Sequence, residues 1–260
     1  MMDENIFDKL QEMGGKMPDK FNILEEQIDV NIQLEYFKQS KKTKKKLPKN
    51  FKIEDIELGQ LENSETDIKT KKEIIIKIAS IDDPKSYRIL EELVKKKDAD
   101  LHEWCVMALQ ENKMLLESSL LNENQVFIST GLGGKGTSLR YFVVLIGENI
   151  SEFAEFQQKI VSSEFEYALK QNNSELENIT FEENYVSINV LIPYDVPIQK
   201  VFRSAVQECN QYGGFIKKNF LVTNVKTLSI DEIKDFVEKN KLPKDTAPEI
   251  DFEPNFDDDE

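Results

Sequence analysis

The chain has 260 residues, 39% of them hydrophobic and 32% charged, with a formal net charge of −15; this length supports one large domain or two ordinary ones with real cores. No run reaches the roughly 18 apolar residues of a membrane span, and the start "MMDENIFDKLQEM" carries acids where a secretory signal carries lysines. The expectation is a cytoplasmic protein with no membrane segment. Its Cys105 and Cys209, far apart and without a spacing pattern, read as reduced, buried thiols.

In chain order, Phe21 to Phe37 ("FNILEEQIDVNIQLEYF") reads as a helix, because Leu24, Ile28, Ile32 and Tyr36 recur at about one turn. From Lys38 to Lys52, "KQSKKTKKKLPKNFK" holds eight lysines and no acid, and with Pro48 it is expected to end that helix. Like-charge blocks repel themselves, so the run reads either as a solvated linker or as a phosphate-contacting arm with Phe37 and Phe51 as stacking groups at its ends. Ile53 to Thr70 is acidic and weakly periodic, a connector ordered only if something holds it. Residues 1–70 thus form an N-terminal helix, a Lys-rich run and a connector.

Lys71 to Leu121 is the clearest helical block. Asp82, Asp83 and Pro84 punctuate two periodic segments, since an acidic cap followed by proline in the first turn satisfies orphan amides without losing a needed donor. Asp98 and Asp100 break the second segment from a third, in which Leu101, Trp104, Cys105, Ala108 and Leu109 share a face. The portion "DDPKSYRILEELVKKKDADLHEWCVMAL", with its Asp-Pro turn and leucine face, resembles a HEAT-type helical repeat over one to one and a half repeats. The resemblance implies helix-pair packing and a protein-binding surface, here at 71–122.

Residues 123–242 read as an α/β domain. Strands at Leu139 to Gly147, Glu175 to Glu183, Tyr185 to Ile192 and Gly214 to Val225 alternate with helices at Ser151 to Gln171 and Val196 to Tyr212. Two β-α-β units in series give a ferredoxin-like arrangement, and Leu145-Ile146 over Leu191-Ile192 suggests an internal duplication at an offset of 46 residues. In "YVSINVLI", Val186, Ile188, Val190 and Ile192 face one way, whereas "LRYFVVLIG" is apolar on both faces and should be a central strand covered twice. The fold class expected is α+β, a HEAT-like helical region beside a ferredoxin-like domain with an extra glycine-tipped hairpin.

Four of the ten glycines lie in "ISTGLGGKG", Ile128 to Gly136. No Ser or Thr follows the Gly-Lys pair and the next element is a strand, so the run lacks the context of a phosphate loop or dinucleotide fingerprint. It reads as a hairpin tip, with a contact finger as the other reading: Gly133 and Gly134 would let a ligand approach the backbone, with Lys135 and Arg140 as positive groups. A single histidine, His102, excludes a histidine-rich metal centre; no catalytic set, metal site or cofactor is expected. From Pro243 onward, at 243–260, eight acids and one lysine surround Ile250, Phe252 and Phe256, a pattern like a short docking peptide, with Phe252 and Phe256 as its anchors.

Together these features favour a non-catalytic scaffold with a protein or ribonucleoprotein partner. The expected assembly is a large RNA–protein particle such as the ribosome, with RNA phosphates meeting Lys41, Lys42, Lys44, Lys45, Lys46 and Lys135. A small-molecule-binding regulatory domain, or an adapter without RNA contact, is the alternative.

Overall fold

The computed structural model describes residues 21–121 and 126–240. The protein is α+β, and the chain divides into two compact units inside one strand, between Leu139 and Arg140. The first unit runs to Leu139 and takes back Asn224–Lys226; the second is Arg140–Thr223 and continues from Thr227. Each has its own hydrophobic core.

In the first unit, β1 (Phe21–Ile23) pairs in parallel with β2 (Val126–Ile128), and Ile23 lies opposite Ile128. The helix expected from Phe21 therefore starts later. Asp29 caps α1 (Val30–Lys44) by accepting from the Asn31 N–H at 2.8 Å, so Leu24 and Ile28 enter the core from an extended approach rather than from a helical stripe. The helix runs on into the lysine block and ends inside it at Lys44, ahead of Pro48. Lysine is a good helix former, Ser40 is buried, and Lys41, Lys42 and Lys44 occupy the last turn, where the negative end of the helix dipole favours cations.

The connector is ordered by burial. Its 3-10 turns at Ile53–Asp55 and Leu58–Leu61 place Ile53 and Ile56 in the core, with Leu58 and Leu61 against it. Asp67 then caps α2 (Ile68–Ala79), whose Ile74, Ile75, Ile76 and Ile78 are all buried. Asp83 caps α3 (Pro84–Lys96) with Pro84 in its first turn, as the sequence leads one to expect. Leu101 and α4 (His102–Leu121) follow an Asp98 turn, and Leu101, Trp104, Cys105 and Ala108 are buried together. Asn112 of α4 donates to the carbonyls of Ala79 and Ile81, which ties off the C-terminal end of α2.

The glycine run is packed rather than free. β3 (Gly134–Lys135) and the start of β4 (Ser138–Gly147) form a hairpin with a two-residue turn, Lys135 opposite Ser138, and Gly136 takes φ +60° in that turn. Upstream of it the backbone is threaded between two other segments. The Ile28 N–H donates to the Gly131 carbonyl and the Leu132 N–H to that of Asn224. A Cβ on Gly133 would lie 2.5 Å from the Glu25 carbonyl oxygen, and one on Gly131 would overlap that of Val225.

In the second unit the strand order is β7 (Ile216–Thr223), β4, β6 (Tyr185–Pro193), β5 (Glu175–Glu182). Two helices, α5 (Glu155–Gln171) and α6 (Ile198–Asn210), contribute Phe165 and Phe202, whose rings meet edge-on at 5.2 Å; Phe202 meets Phe220 of β7 at 5.6 Å. Val143 and Leu145 join Val186, Ile188, Val190 and Ile192 in this core. On the other face of β4, Phe142, Val144 and Ile146 are at most 5% exposed, so the strand is central and buried twice. The 46-residue offset fails on parity: Leu145 points into the helix-side core, whereas Val190 and Ile192, not Leu191, do so in β6. A slip of one residue exchanges the faces of a strand, so equivalent positions of β4 and β6 are separated by an odd number. A last helix, α7 (Ile230–Asn240), buries Ile233, and its Lys234 pairs with Glu183 of the β5–β6 turn at 2.6 Å.

The glycine packing gives a direct test. Gly131→Ala is expected to cost more than about 2 kcal/mol, because the new methyl meets backbone that cannot retreat, whereas Gly136→Ala, with open space around it, should cost only about 1 to 2 kcal/mol for its positive φ. Urea unfolding followed through Trp104, the only tryptophan, separates the two.

Candidate nucleic-acid interface

The candidate site is the C-terminal half of α1 with the loop after it. The helix is fixed by a ladder at spacings of four residues. Tyr36, Ser40 and Lys44 all reach Glu111 of α4: the Tyr36 hydroxyl donates at 2.5 Å, the Ser40 hydroxyl at 2.8 Å and 3.0 Å, and the Lys44 ammonium pairs at 2.7 Å. Tyr36 is fully buried and its ring meets that of Trp104 edge-on at 5.1 Å. Trp104 donates its indole N–H to the Lys72 carbonyl, and the Lys72 ammonium lies 4.2 Å from the indole centroid. Burial, then the nearby Glu111 carboxylate, hold the Tyr36 phenol well above its ordinary pKa.

With Tyr36 and Ser40 buried and Lys44 turned to Glu111 at the surface, the opposite side of α1 carries Leu34, Lys38, Lys41 and Lys45, spaced by four, three and four residues. Lys38, Lys41, Lys42, Lys45 and Lys46 are exposed, and among the described residues none of these five is in an ion pair. Lys49 and Lys52 continue the exposed series in the loop. Of the two aromatics at the ends of the run, Phe51 packs against the core while Phe37 is 44% exposed.

The other expected contact residues are placed differently. Gly133 and Gly134 are buried under Glu25, Glu26 and Ile23 rather than exposed at the hairpin tip, where Gly136 stands instead. Lys135 is exposed at the hairpin. Arg140 belongs to the second unit and grips Glu177 of β5 with two hydrogen bonds, at 2.6 Å and 2.8 Å. Phe252 and Phe256 lie outside the described residues.

Both cysteines are free thiols inside the fold. Burial, then Asp98, pushes the Cys105 thiol up to about 12, and burial, then Glu164, does the same for Cys209; neither is a thiolate near neutral pH. Burial also pushes the Tyr141 phenol up to about 12. His102 is partly exposed, with Nε2 3.1 Å from a Glu26 carboxylate oxygen. Among the described residues no three His, Cys, Asp or Glu side chains gather as metal ligands.

No protein-family model matches the sequence, and no curated protein matches it either. Part of the chain is similar to solved structures, among them the following two. One is a candidate transposase from Deinococcus radiodurans R1, 15% identical over 41% of this chain and 95% of the other, with a TM-score of 0.34. The second is a REP-associated tyrosine transposase bound to a REP hairpin, 10% identical over 38% of this chain and 61% of the other, with a TM-score of 0.30. These neighbours are transposases and not ribosomal factors, which corrects the expectation of a non-catalytic, ribosome-associated scaffold with ribonucleoprotein partners and RNA contacts. At these TM-scores the likeness transfers no activity to this chain.

The buried phenol sets a pH dependence of stability. In the unfolded chain Tyr36 ionises near its ordinary value of 10.0, while in the fold it stays neutral to higher pH; the native state then holds a proton that the unfolded state has lost. Stability is thus fully present below pH 10 and falls as pH rises from there toward the folded pKa, by at most about 1.4 kcal/mol per pH unit for one group. Chemical unfolding between pH 9 and pH 12 should show a shallower loss for Tyr36→Phe than for the parent, whatever their difference at pH 7.

Proposed function

We propose that this chain binds DNA through the basic end of α1, making sequence-independent contacts to the phosphate backbone. One observation carries the reading: a run of eight lysines and no acid is built onto an anchored helix and the loop after it, with Lys38, Lys41, Lys42, Lys45 and Lys46 turned to solvent. Lysine side chains that replace condensed counterions supply affinity without reading base edges. A helix C-terminus alone accounts for two or three cations; it does not account for Lys45, Lys46, Lys49 and Lys52 beyond the last turn. DNA is the polymer assigned, the ribonucleoprotein expectation having been corrected, and Lys44, committed to Glu111, is left out of the contact set.

In this reading the two units have separate roles. The helical segment from Lys71 to Leu121, which we read as a HEAT-type helix pair with one added helix, supports α1 through Glu111 and Trp104. The second unit we read as a ferredoxin-like arrangement, on the support of its β-α-β-β-α-β element order and the strand order β7-β4-β6-β5. Its central strand is not the DNA platform, because Phe142, Val144 and Ile146 are buried.

Changing Lys38, Lys41, Lys45 and Lys46 together to Gln should weaken binding to a labelled DNA duplex at least tenfold at 50 mM salt. If all four touch phosphates, the slope of log K against log salt should become shallower by about 0.9 per lysine. Fluorescence anisotropy over a salt series measures both; an unchanged slope would remove these lysines from the interface.

A further inference from the structure

The lysine stripe is not purely basic, and its apolar members decide which form of DNA it suits. Phe37 is 44% exposed and Leu34 is 62% exposed, three residues apart on α1 and therefore neighbours on its surface. Lys38 and Lys41 stand one and four residues beyond Phe37. The Phe37 ring is held edge-on against Tyr36, 6.0 Å between centroids at 78°. Tyr36 is itself locked by Glu111 and Trp104, so the ring is backed by a rigid support.

We propose that the end of α1 is a single-stranded DNA site, in which the Phe37 ring stacks on an unpaired base whose flanking phosphates are held by Lys38, Lys41 and Lys45. The inference rests on the DNA reading above and deepens it. A duplex hides its base faces, so an aromatic ring set among phosphate-binding lysines gains nothing from it; a single strand offers a π-face at every nucleotide, and stacking of this kind tolerates any sequence. The structure also chooses between the two aromatics that border the lysine run, since Phe51 is spent on the core and Phe37 is not. Leu34 extends the apolar patch by one helical turn, where a second base or a sugar would rest.

The test uses the full chain with labelled oligo(dT) and a mixed-sequence duplex of equal length. Phe37→Ala is expected to weaken oligo(dT) binding by roughly fivefold to a hundredfold while changing duplex binding less than twofold. Phe37→Trp should retain the affinity, and its indole fluorescence should be quenched by oligo(dT), against the constant background of buried Trp104. Equal losses on both DNAs, or no loss on oligo(dT), would overturn the stacking role. If the parent binds neither DNA at low salt, the DNA reading itself fails; if it binds both equally and only the lysine variant loses affinity, that reading survives and this inference does not. Sedimentation with phosphatidylserine vesicles closes the remaining route: vesicle binding lost in Phe37→Ala, with oligo(dT) binding unaffected, would make the patch a lipid contact and sink the proposal.

Discussion

Glu111 accepts from Tyr36 and Ser40 and pairs with Lys44, three side chains one helical turn apart, so one carboxylate on α4 determines which side of α1 faces the core. The arrangement answers a problem of burial. A phenol with no solvent exposure must find an acceptor or forfeit its hydration, and a carboxylate that is itself partly buried must be satisfied by donors. Each group solves the other's problem, with Ser40 and Lys44 completing the set. The consequence lies on the opposite side of the helix. Once Tyr36 and Ser40 point inward and Lys44 is held to Glu111, positions 34, 38, 41 and 45 must point outward, and the basic, partly aromatic stripe is a geometric result of the clamp.

The glycine run plays a comparable part for the same unit. Gly131, Gly133 and Gly134 let the backbone pass close to residues 25–26 and 225, and Gln33 of α1 donates to the carbonyls of Ile28 and Thr130 while accepting from Ser129. The start of α1 is thus fixed by backbone crossing just as its far end is fixed by Glu111. In the second unit, β4 has covered side chains on both faces, which withdraws the central strand from the surface that a strand-based nucleic-acid module would offer.

Much of this was legible in the residues. Alternation placed β4, β5, β6 and β7 within a few residues, because period-two patterns in Val- and Ile-rich runs allow little else, and Asp83-Pro84 marked the start of α3 through capping chemistry that is local by nature. The errors share a cause, namely that tertiary partners are silent in a sequence. Leu24, Ile28, Ile32 and Tyr36 fit helical spacing, yet Leu24 and Ile28 belong to an extended segment beside β2, and only the Asp29 cap signalled the true start. The lysine block does end the helix, but at Lys44 rather than at its first residue; Glu111, some seventy residues away, holds Ser40 and Lys44 and could not be paired with them beforehand. The glycines read equally well as a free finger, since nothing local revealed the segments at 25–26 and 225. The 46-residue offset matched letters while reversing faces, an error that parity exposes only once the cores are known.

A body with a net charge of −15 repels a polyanion at long range, and the proposed interface has to work against that field. Screening settles the scale. At physiological ionic strength the Debye length is about 8 Å, so most of the acidic surface contributes little once a phosphate lies within contact distance of Lys41 or Lys45. What remains of the field is orientational: approaches toward acidic faces are disfavoured, and the lysine run from Lys38 to Lys52, which holds eight lysines and no acid, is where a strand can come close. Such a site should bind weakly and lose affinity steeply with added salt, which makes a non-electrostatic contribution from Phe37 more valuable here than on a basic protein. Stacking is much less sensitive to ionic strength than phosphate pairing, so it sustains contact under conditions in which the lysines alone would release the strand.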